Sequence, residues 1–402
     1  MSQFLRKSFG LLFIILALVC NPFFLGPFLS LDGNLDPIYR DKLIYLEVLL
    51  FSLGLFLIRY SKWKSKIKFL FIVLFFSVIL LEFSLQMFPS LLGLKFANAI
   101  RTKYTHDYYG INEFDPVANM DFLKPNFQAK CFWNGHWWKH STDKYGFRNL
   151  QDRDKADILL LGDSFVYGHG VNDDETVSFY LEKQIQRPVI NMGRTGNTSV
   201  QHMYLLAKYG LQLSPQYVFY LFCNNDLTDL RFYRTEEEMK DFIQTPLHQI
   251  RFPDRIHTKK SLRDHVSPIT GFVQKHLVFP VAVRTAMLKA LDQEQDEDPS
   301  VSMFFEENSL EWKYMAKSIE YMKYLADKHE FEFVLVAIPV GEGQILQHFE
   351  TLRKVSQKNA IPFIELPTDV QFAEEYVLVN DGHLNASGNQ NLSRHLAAYL
   401  QR

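Results

Sequence analysis

The first ninety residues differ in hydrophobic pattern from everything after them. Uncharged or nearly uncharged apolar runs occupy roughly Phe9–Leu29, Leu43–Ile58 and Phe69–Phe88, separated by short charged loops. An apolar helix needs roughly 20 residues to cross the hydrocarbon core of a bilayer. The first and third runs reach that length and the second is shorter. Three such runs in succession predict a membrane region over residues 1–90 rather than three buried core helices. No small-x-small cleavage site follows the first run, and Val19 precedes Cys20 where a lipoprotein signal needs a small residue, so the run reads as a retained span.

The charged loops orient these spans. The loop between the second and third carries Arg59, Lys62, Lys64, Lys66 and Lys68, whereas the loop between the first and second holds Asp32, Asp36 and Asp41 against Arg40 and Lys42. The basic loop is expected to stay cytoplasmic. An inside N-terminus and three crossings then put everything after about residue 89 on the outer side, with the lipid bilayer as a partner. Glu47 and Glu82 fall within the apolar runs. Glu47 is near enough to an end to reach the interface. Glu82 lies deeper, where a partner helix of another membrane protein or a polar cavity is expected to face it.

Residues 91–150 form an aromatic lead-in that reads as irregular and includes Trp133, Trp137 and Trp138. Such rings can stack on sugars, but the favoured reading is a segment packed across the following domain as cover. From residue 151 to 402 the pattern becomes regular. Ile158–Leu161 is a continuous apolar run, as in a strand buried on both faces. Further strands are expected at Val189–Ile190, Tyr217–Phe222, Phe331–Ile338 and Pro362–Leu366. Helices are expected at Asp174–Gln186, Asn197–Leu211, Leu310–His329, Ile345–Lys358 and Ala386–Leu400. This alternation predicts an α/β domain with a parallel sheet of about five strands. An insertion of about 231–308 interrupts it, leaving from the edge of the sheet where ligands bind. A stretch that long is expected to act as a lid or to carry helices of its own.

Composition adds two exclusions. The 43 basic and 45 acidic residues nearly cancel, which leaves no electrostatic footprint for nucleic acid. Three cysteines are too few for a disulfide scaffold, and Cys131 and Cys223 are expected as buried thiols rather than a bridge.

Ligands of open parallel sheets bind beyond the carboxyl ends of the strands. Four short segments stand at or near those ends: Gly162-Asp163-Ser164, the stretch Asn191 to Thr198 with Gly193 and Gly196, Asn224-Asn225-Asp226, and Asp381-Gly382-His383. Acyl transfer needs a nucleophile, a base to take its proton, an acid to orient the base, and donors for an oxyanion. Each segment alone is a weak signal, but their order, spacing and placement agree. No metal or cofactor is needed for this chemistry.

Together these residues resemble the SGNH/GDSL hydrolase superfamily, over about Thr142–Leu400. The resemblance implies a three-layer flavodoxin-like fold and Ser164 as nucleophile. The oxyanion hole would combine the N–H groups of Ser164 and Gly196 with the Asn225 side chain. It implies His383 as the base, and the aspartate near it, here Asp381, as the acid. Asp163 is assigned to shaping the turn, with its carboxylate directed away from the serine. Two departures stand out. Cys223 replaces a glycine in the third block, and the usual acid position, three residues before the histidine, holds Asn380. Asp381 lies two before it, with Gly382 expected to make the connecting turn. Arg148 is expected in a structural ion pair, and Asn197 and Thr198 as helix caps. The function expected is a serine ester hydrolase outside the cytoplasm, acting on an acyl ester, glycan-linked or lipid, of the cell envelope. Two alternatives stand beside it: an O-acyltransferase modifying a polysaccharide, and a non-catalytic membrane assembly factor.

Overall fold

The computed structural model describes residues 3–24, 37–59, 112–115, 120–252, 306–338, 345–366 and 374–402, with scattered positions between 74 and 98. The chain divides into two units, Met1–Tyr104 with His265–Gln293, and Thr105–Asp264 with Glu294–Arg402.

In the first unit, helices α1 (Gln3–Val19) and α2 (Pro37–Arg59) pack against each other. They touch through two glycines: a Cβ at Gly10 would come 2.7 Å from the Gly54 carbonyl oxygen, and one at Gly54 would come 2.6 Å from that of Gly10. At the other end of the pair, the Asn21 amide lies 3.0 Å from both carboxylate oxygens of Glu47. Glu47 is therefore engaged by the segment that follows α1.

The expectation of three spans is not matched by the helices seen. Among the described residues, no helix is long and apolar enough to cross a membrane. Helix α1 stops at Val19, after 17 residues. Helix α2 is 23 residues long but includes Arg40, Asp41, Lys42, Glu47 and Arg59, so its uncharged stretches are short. Most of the third run, 69–88, lies outside the described residues.

The second unit opens with two antiparallel pairs, β1 (Asn112–Asp115) with β2 (Met120–Leu123), and β3 (Gln128–Trp133) with β4 (His136–Ser141). The second pair is a hairpin where the sequence reading expected irregular cover. Its tip is Asn134-Gly135, at φ of 46° and 94°. Both residues are left-handed, as the type I′ two-residue hairpin turn requires. The alternation was hard to see because aromatic residues stand on both faces: Phe132 pairs with Trp137 on one, Cys131 with Trp138 on the other.

The main sheet follows the expected strands closely. Its members are β5 (Ile158–Gly162), β6 (Val189–Asn191), β7 (Tyr217–Phe222), β8 (Glu332–Ala337) and β9 (Phe363–Glu365), all paired in parallel in the order β6-β5-β7-β8-β9. The intervening helices are α3 (Ser164–Tyr167), α4 (Val177–Ile185), α5 (Ser199–Leu205), α6 (Asn225–Thr228), α7 (Leu230–Tyr233), α8 (Glu236–Gln244), α9 (Leu310–His329) and α10 (Ile345–Lys358), with α11 (Ala386–Leu400) closing the domain. Alternate residues of the central strands enter two cores. Leu159, Leu161, Tyr220 and Leu335 pack with α5, α9 and α10, whereas Ile158, Leu160, Phe219 and Val334 pack with α4 and α11. Burial on both faces is why these strands read as unbroken apolar runs.

Capping fixes where several helices begin. Thr198 and Gln201 form a capping box on α5, Ser309 accepts from Trp312 N–H at the start of α9, and Asn385 accepts from Gly388 N–H at the start of α11. The helix expected to run to Leu211 ends at Leu205 and continues as a wider turn over Leu206–Gly210. That turn sets Gly210 against Leu159 of β5, where a Cβ would come within 3.0 Å. The first part of the 231–308 stretch is helical and packs on the domain: Met239 and Ile250 join the α9 side of the core, and Arg231 pairs with buried Glu311. Residues 253–305 lie outside the described residues.

Candidate active site

The strand order reverses between β5 and β7, the position at which such sheets bind ligands. Ser164 stands at the end of β5 as the first residue of α3. Asp163 caps that short helix, its Oδ1 accepting the Phe165 N–H at 3.0 Å. Its carboxylate does not turn wholly away from the serine, since the Ser164 hydroxyl reaches Oδ2 at 3.3 Å. Burial, reinforced by the nearby charge of Asp226, raises the Asp163 pKa. Gly162 has to be small, because a Cβ there would come 2.4 Å from Val166 and 3.0 Å from the Leu221 carbonyl oxygen.

The loop after β6 passes directly beneath α3. Asn191 donates to the Val166 carbonyl at 2.7 Å and accepts from Gly193 N–H at 2.8 Å. A Cβ at Gly193 would lie 2.3 Å from the Tyr167 nitrogen, so a side chain is excluded where this loop meets the nucleophile's helix. Gly196, farther along, adopts φ of 75°, and its carbonyl accepts from the Tyr233 hydroxyl at 2.8 Å. Tyr233 belongs to the start of the insertion, which therefore borders this edge of the sheet. After β7, Asn225 opens α6. Ser164, Gly196 and Asn225 thus stand at the ends of three adjacent strands.

Asp226, the neighbour of Asn225, is held by a histidine that the sequence reading did not single out. His202 Nε2 lies 3.0 Å from Asp226 Oδ1, both side chains fully buried, and Asp226 Oδ2 accepts the Cys223 N–H at 2.9 Å. No sequence signal joins them, because His202 lies inside α5 and reads as an ordinary helical residue.

The histidine arrives from the other end of the domain. His383 Nε2 lies 2.7 Å from Ser164 Oγ, and its Nδ1 is hydrogen-bonded to Asp381 Oδ1. The same carboxylate oxygen accepts the His383 main-chain N–H at 3.0 Å. Nδ1 facing a carboxylate carries the proton, which leaves Nε2 as the acceptor for the serine hydroxyl. Burial acts to raise the Asp381 pKa, but the hydrogen bonds and charge of His383 outweigh it and hold the carboxyl at about 2. Asp381 is thus a full negative charge at working pH.

The turn carrying Asp381 differs from the expectation in one respect. Gly382 does not adopt a left-handed conformation, but Asn380 does, at φ of 61°. Asp381 N–H closes the turn onto the Leu378 carbonyl at 3.0 Å. Asparagine tolerates this conformation better than other non-glycine residues, which accounts for its presence where the resemblance expects the acid. The His383 ring lies against Phe165 and against His169, with centroids 5.3 and 4.6 Å apart.

Arg148 is structural, as expected: it is buried, pairs with Asp173 at 3.0 Å and donates to the carbonyls of Tyr167, Gly168, Lys139 and Val171. Cys131 and Cys223 are both buried and unbridged, and burial pushes the Cys131 thiol up to about 12. One group among the described residues has metal-ligand spacing, His169, Asp381 and His383, whose donor atoms lie within 4.8 Å of one another. Two of these three are already joined by the Asp381–His383 hydrogen bond, which a metal would have to break.

Comparison with known proteins gives the context of this arrangement. No curated protein matches the chain. Among solved structures, a lipolytic protein of the G-D-S-L family from Desulfitobacterium hafniense DCB-2 aligns at 14% identity over 61% of this chain and 99% of its own, with a TM-score of 0.35. TesA aligns at 12% identity over 61% and 97%, with a TM-score of 0.37, and the acetyl xylan esterase AlAXEase at 12% over 60% and 99%, with a TM-score of 0.35. The family model for GDSL-like lipase/acylhydrolase matches residues 158–396, a stretch that begins with β5 and ends within α11. That match spans more than half the chain, and the protein therefore belongs to the GDSL-like lipase/acylhydrolase family.

Proposed function

We propose that the protein is a serine ester hydrolase whose domain, residues 151–402, acts outside the cytoplasm through an acyl-Ser164 intermediate. The observation that carries this reading is the 2.7 Å contact of His383 Nε2 with Ser164 Oγ, with Asp381 on the far side of the ring. His383 takes the hydroxyl proton as Oγ attacks the ester carbonyl, and Asp381 stabilises the imidazolium so formed. The oxyanion is met by the N–H groups of Ser164 and Gly196 and by the Asn225 amide. As the tetrahedral intermediate collapses, His383 returns the proton to the departing alkoxide and the acyl group stays on Oγ. Water, activated by the same histidine, then releases the acid. Membership in an acylhydrolase family and this hydrogen-bonded line both speak against a purely non-catalytic role.

The membrane reading rests on residues 1–90. Among the described residues, exposed large apolar side chains cluster in this region and just after it: all except Trp133, Leu150 and Val379 fall between Leu11 and Leu94. Apolar surface on this scale marks a lipid or protein contact. The basic loop after Arg59 supports an outer position for the catalytic domain, and the substrate we assign is an acyl ester of an envelope glycan or lipid. Ser164 is only 6% exposed. Restricted access of water at the acyl group favours transfer to a sugar hydroxyl, so an O-acyltransferase is the second reading.

The full chain, purified in detergent, should hydrolyse p-nitrophenyl acetate and release acetate from acetylated polysaccharide. Mass spectrometry after a short incubation should find the acetyl group on Ser164. A Ser164→Ala variant with wild-type turnover would remove Ser164 from the chemistry, and acetyl transfer to added sugar exceeding hydrolysis would favour the second reading.

A further inference from the structure

The residues matched by the family model begin at Ile158, yet the candidate acid is gripped by a segment well before that point. The Asn134 amide donates to Asp381 Oδ2 at 3.1 Å across 247 residues of sequence. His136, on the other side of the same hairpin tip, lies with Nε2 2.7 Å from the Val379 carbonyl oxygen. A carbonyl can only accept, so His136 Nε2 is the donor. The β3–β4 tip therefore holds the Val379–Asp381 turn at two points, one on the main chain and one on the carboxylate.

The division of labour at Asp381 is clear from its two oxygens. Oδ1 takes both bonds from His383, the ring and the main-chain N–H. Oδ2 takes the bond from Asn134. Rotation of the carboxylate about its Cβ–Cγ bond would carry Oδ1 off the ring, and the Asn134 bond opposes that rotation. The hairpin also lies behind the base. Trp138 packs on His169 at 4.9 Å between centroids, and His169 packs on His383 at 4.6 Å. Trp133, at the end of β3, meets His169 edge-on at 6.4 Å.

The placement of Asp381 explains why such support is useful. It sits next to Asn380 on an exposed turn, two residues before His383, with the left-handed step immediately preceding it. Its own turn supplies no donor to Oδ2 among the bonds seen. We infer that Asn134 is a positioning residue for the proposed catalytic acid, and that the β3–β4 hairpin is a working part of the active site rather than cover. This inference rests on the triad reading, so its test is built to fail separately from it.

The turn itself dictates the choice of variants. Asn134 is left-handed, and alanine there would strain the tip and confuse lost chemistry with lost structure. Asn134→Gly accommodates the left-handed conformation and removes the side-chain donor. Asn134→Asp keeps the shape but sets a second carboxylate against Asp381. Hydrogen bonds to charged groups are worth enough to predict about a 10- to 100-fold fall in kcat for Asn134→Gly, with KM within about twofold of wild type. Asn134→Asp, which also tolerates the left-handed position, should fall further at neutral pH.

A second readout does not depend on turnover. The proton shared by His383 Nδ1 and Asp381 should give a low-field NMR resonance in the full-length protein. It should persist in Ser164→Ala and broaden or shift in Asn134→Gly. If no ester is turned over but this resonance responds to Asn134→Gly, the positioning inference stands and the proposed activity falls. If wild type is active and Asn134→Gly matches it in kcat with an unmoved resonance, the inference is overturned. A fall in melting temperature alone, with kcat unchanged, would overturn it equally, because that is what a merely structural hairpin would give.

Discussion

Replacing Asp381 by asparagine is the sharpest perturbation of the proposed chemistry, because it preserves size while deleting one charge. In the wild type, Oδ1 accepts both the ring N–H and the main-chain N–H of His383, and Oδ2 accepts the Asn134 amide. An asparagine has one oxygen for these three donors and brings two new N–H groups. If its amide nitrogen faces the ring, His383 must place its proton on Nε2, where it cannot accept from Ser164. The charge is lost as well. Opposite unit charges about 4 Å apart interact by roughly 4 kcal/mol at an effective dielectric constant of about 20, equivalent to roughly three decades of rate. The corresponding change in a well-studied serine protease costs about 10⁴ in kcat through the wrong tautomer. We therefore expect Asp381→Asn to lower kcat by about 10³- to 10⁴-fold with KM changed by less than about threefold. The assay is p-nitrophenyl acetate hydrolysis by the full chain at saturating substrate, with thermal melting recorded in parallel. A loss smaller than about tenfold, or one carried entirely by KM, would refute the assignment and leave a Ser–His dyad.

Three further outcomes are expected. Asn225→Ala should lower kcat by about 10²–10³-fold, as removal of one oxyanion donor does, and an effect on KM alone would exclude that role. His202→Leu should destabilise the domain by about 3 kcal/mol in urea titration, because it strips a buried carboxylate of one donor, and a loss under about 1 kcal/mol would show that Asp226 finds another. Asp381 has a depressed pKa in the folded state, so its contribution to stability is complete above about pH 4 and is lost as pH falls through about 2. The melting-temperature gap between wild type and Asp381→Asn should accordingly narrow over that interval, and a gap that stays constant from pH 5 to 2 would contradict the shift.

The main sheet was legible because its strands are buried on both faces, so Leu159, Leu160 and Leu161 sit in one unbroken run. The candidate site residues could be picked out because the segments after these strands are short and carry Ser164, Gly196 and Asn225 in order. What escaped was long-range or conformational. Asn134 bonds to a residue 247 positions away, and no local pattern encodes such a contact. The hairpin that carries it did have a signal, the Asn-Gly pair, which favours a tight two-residue turn, but the aromatics on both faces hid the alternation. The Asp381 turn was misread for a different reason. Glycine was the obvious residue for a sharp turn, whereas the left-handed position belongs to Asn380, and side-chain type alone does not distinguish two adjacent tolerant residues.

The glycine contact between α1 and α2 has a consequence for solvent. At Gly10 and Gly54 each glycine meets the carbonyl of the other and an isoleucine side chain, Ile58 or Ile14, at a separation that leaves no room for a Cβ. Dispersion attraction between close-packed atoms does not depend on the hydrophobic driving force, as the burial of a leucine does. A helix pair joined in this way holds in hydrocarbon as well as in water, which is why small residues recur where helices associate in lipid. At Gly10 and Gly54 the two helices carry a contact of this small-residue kind.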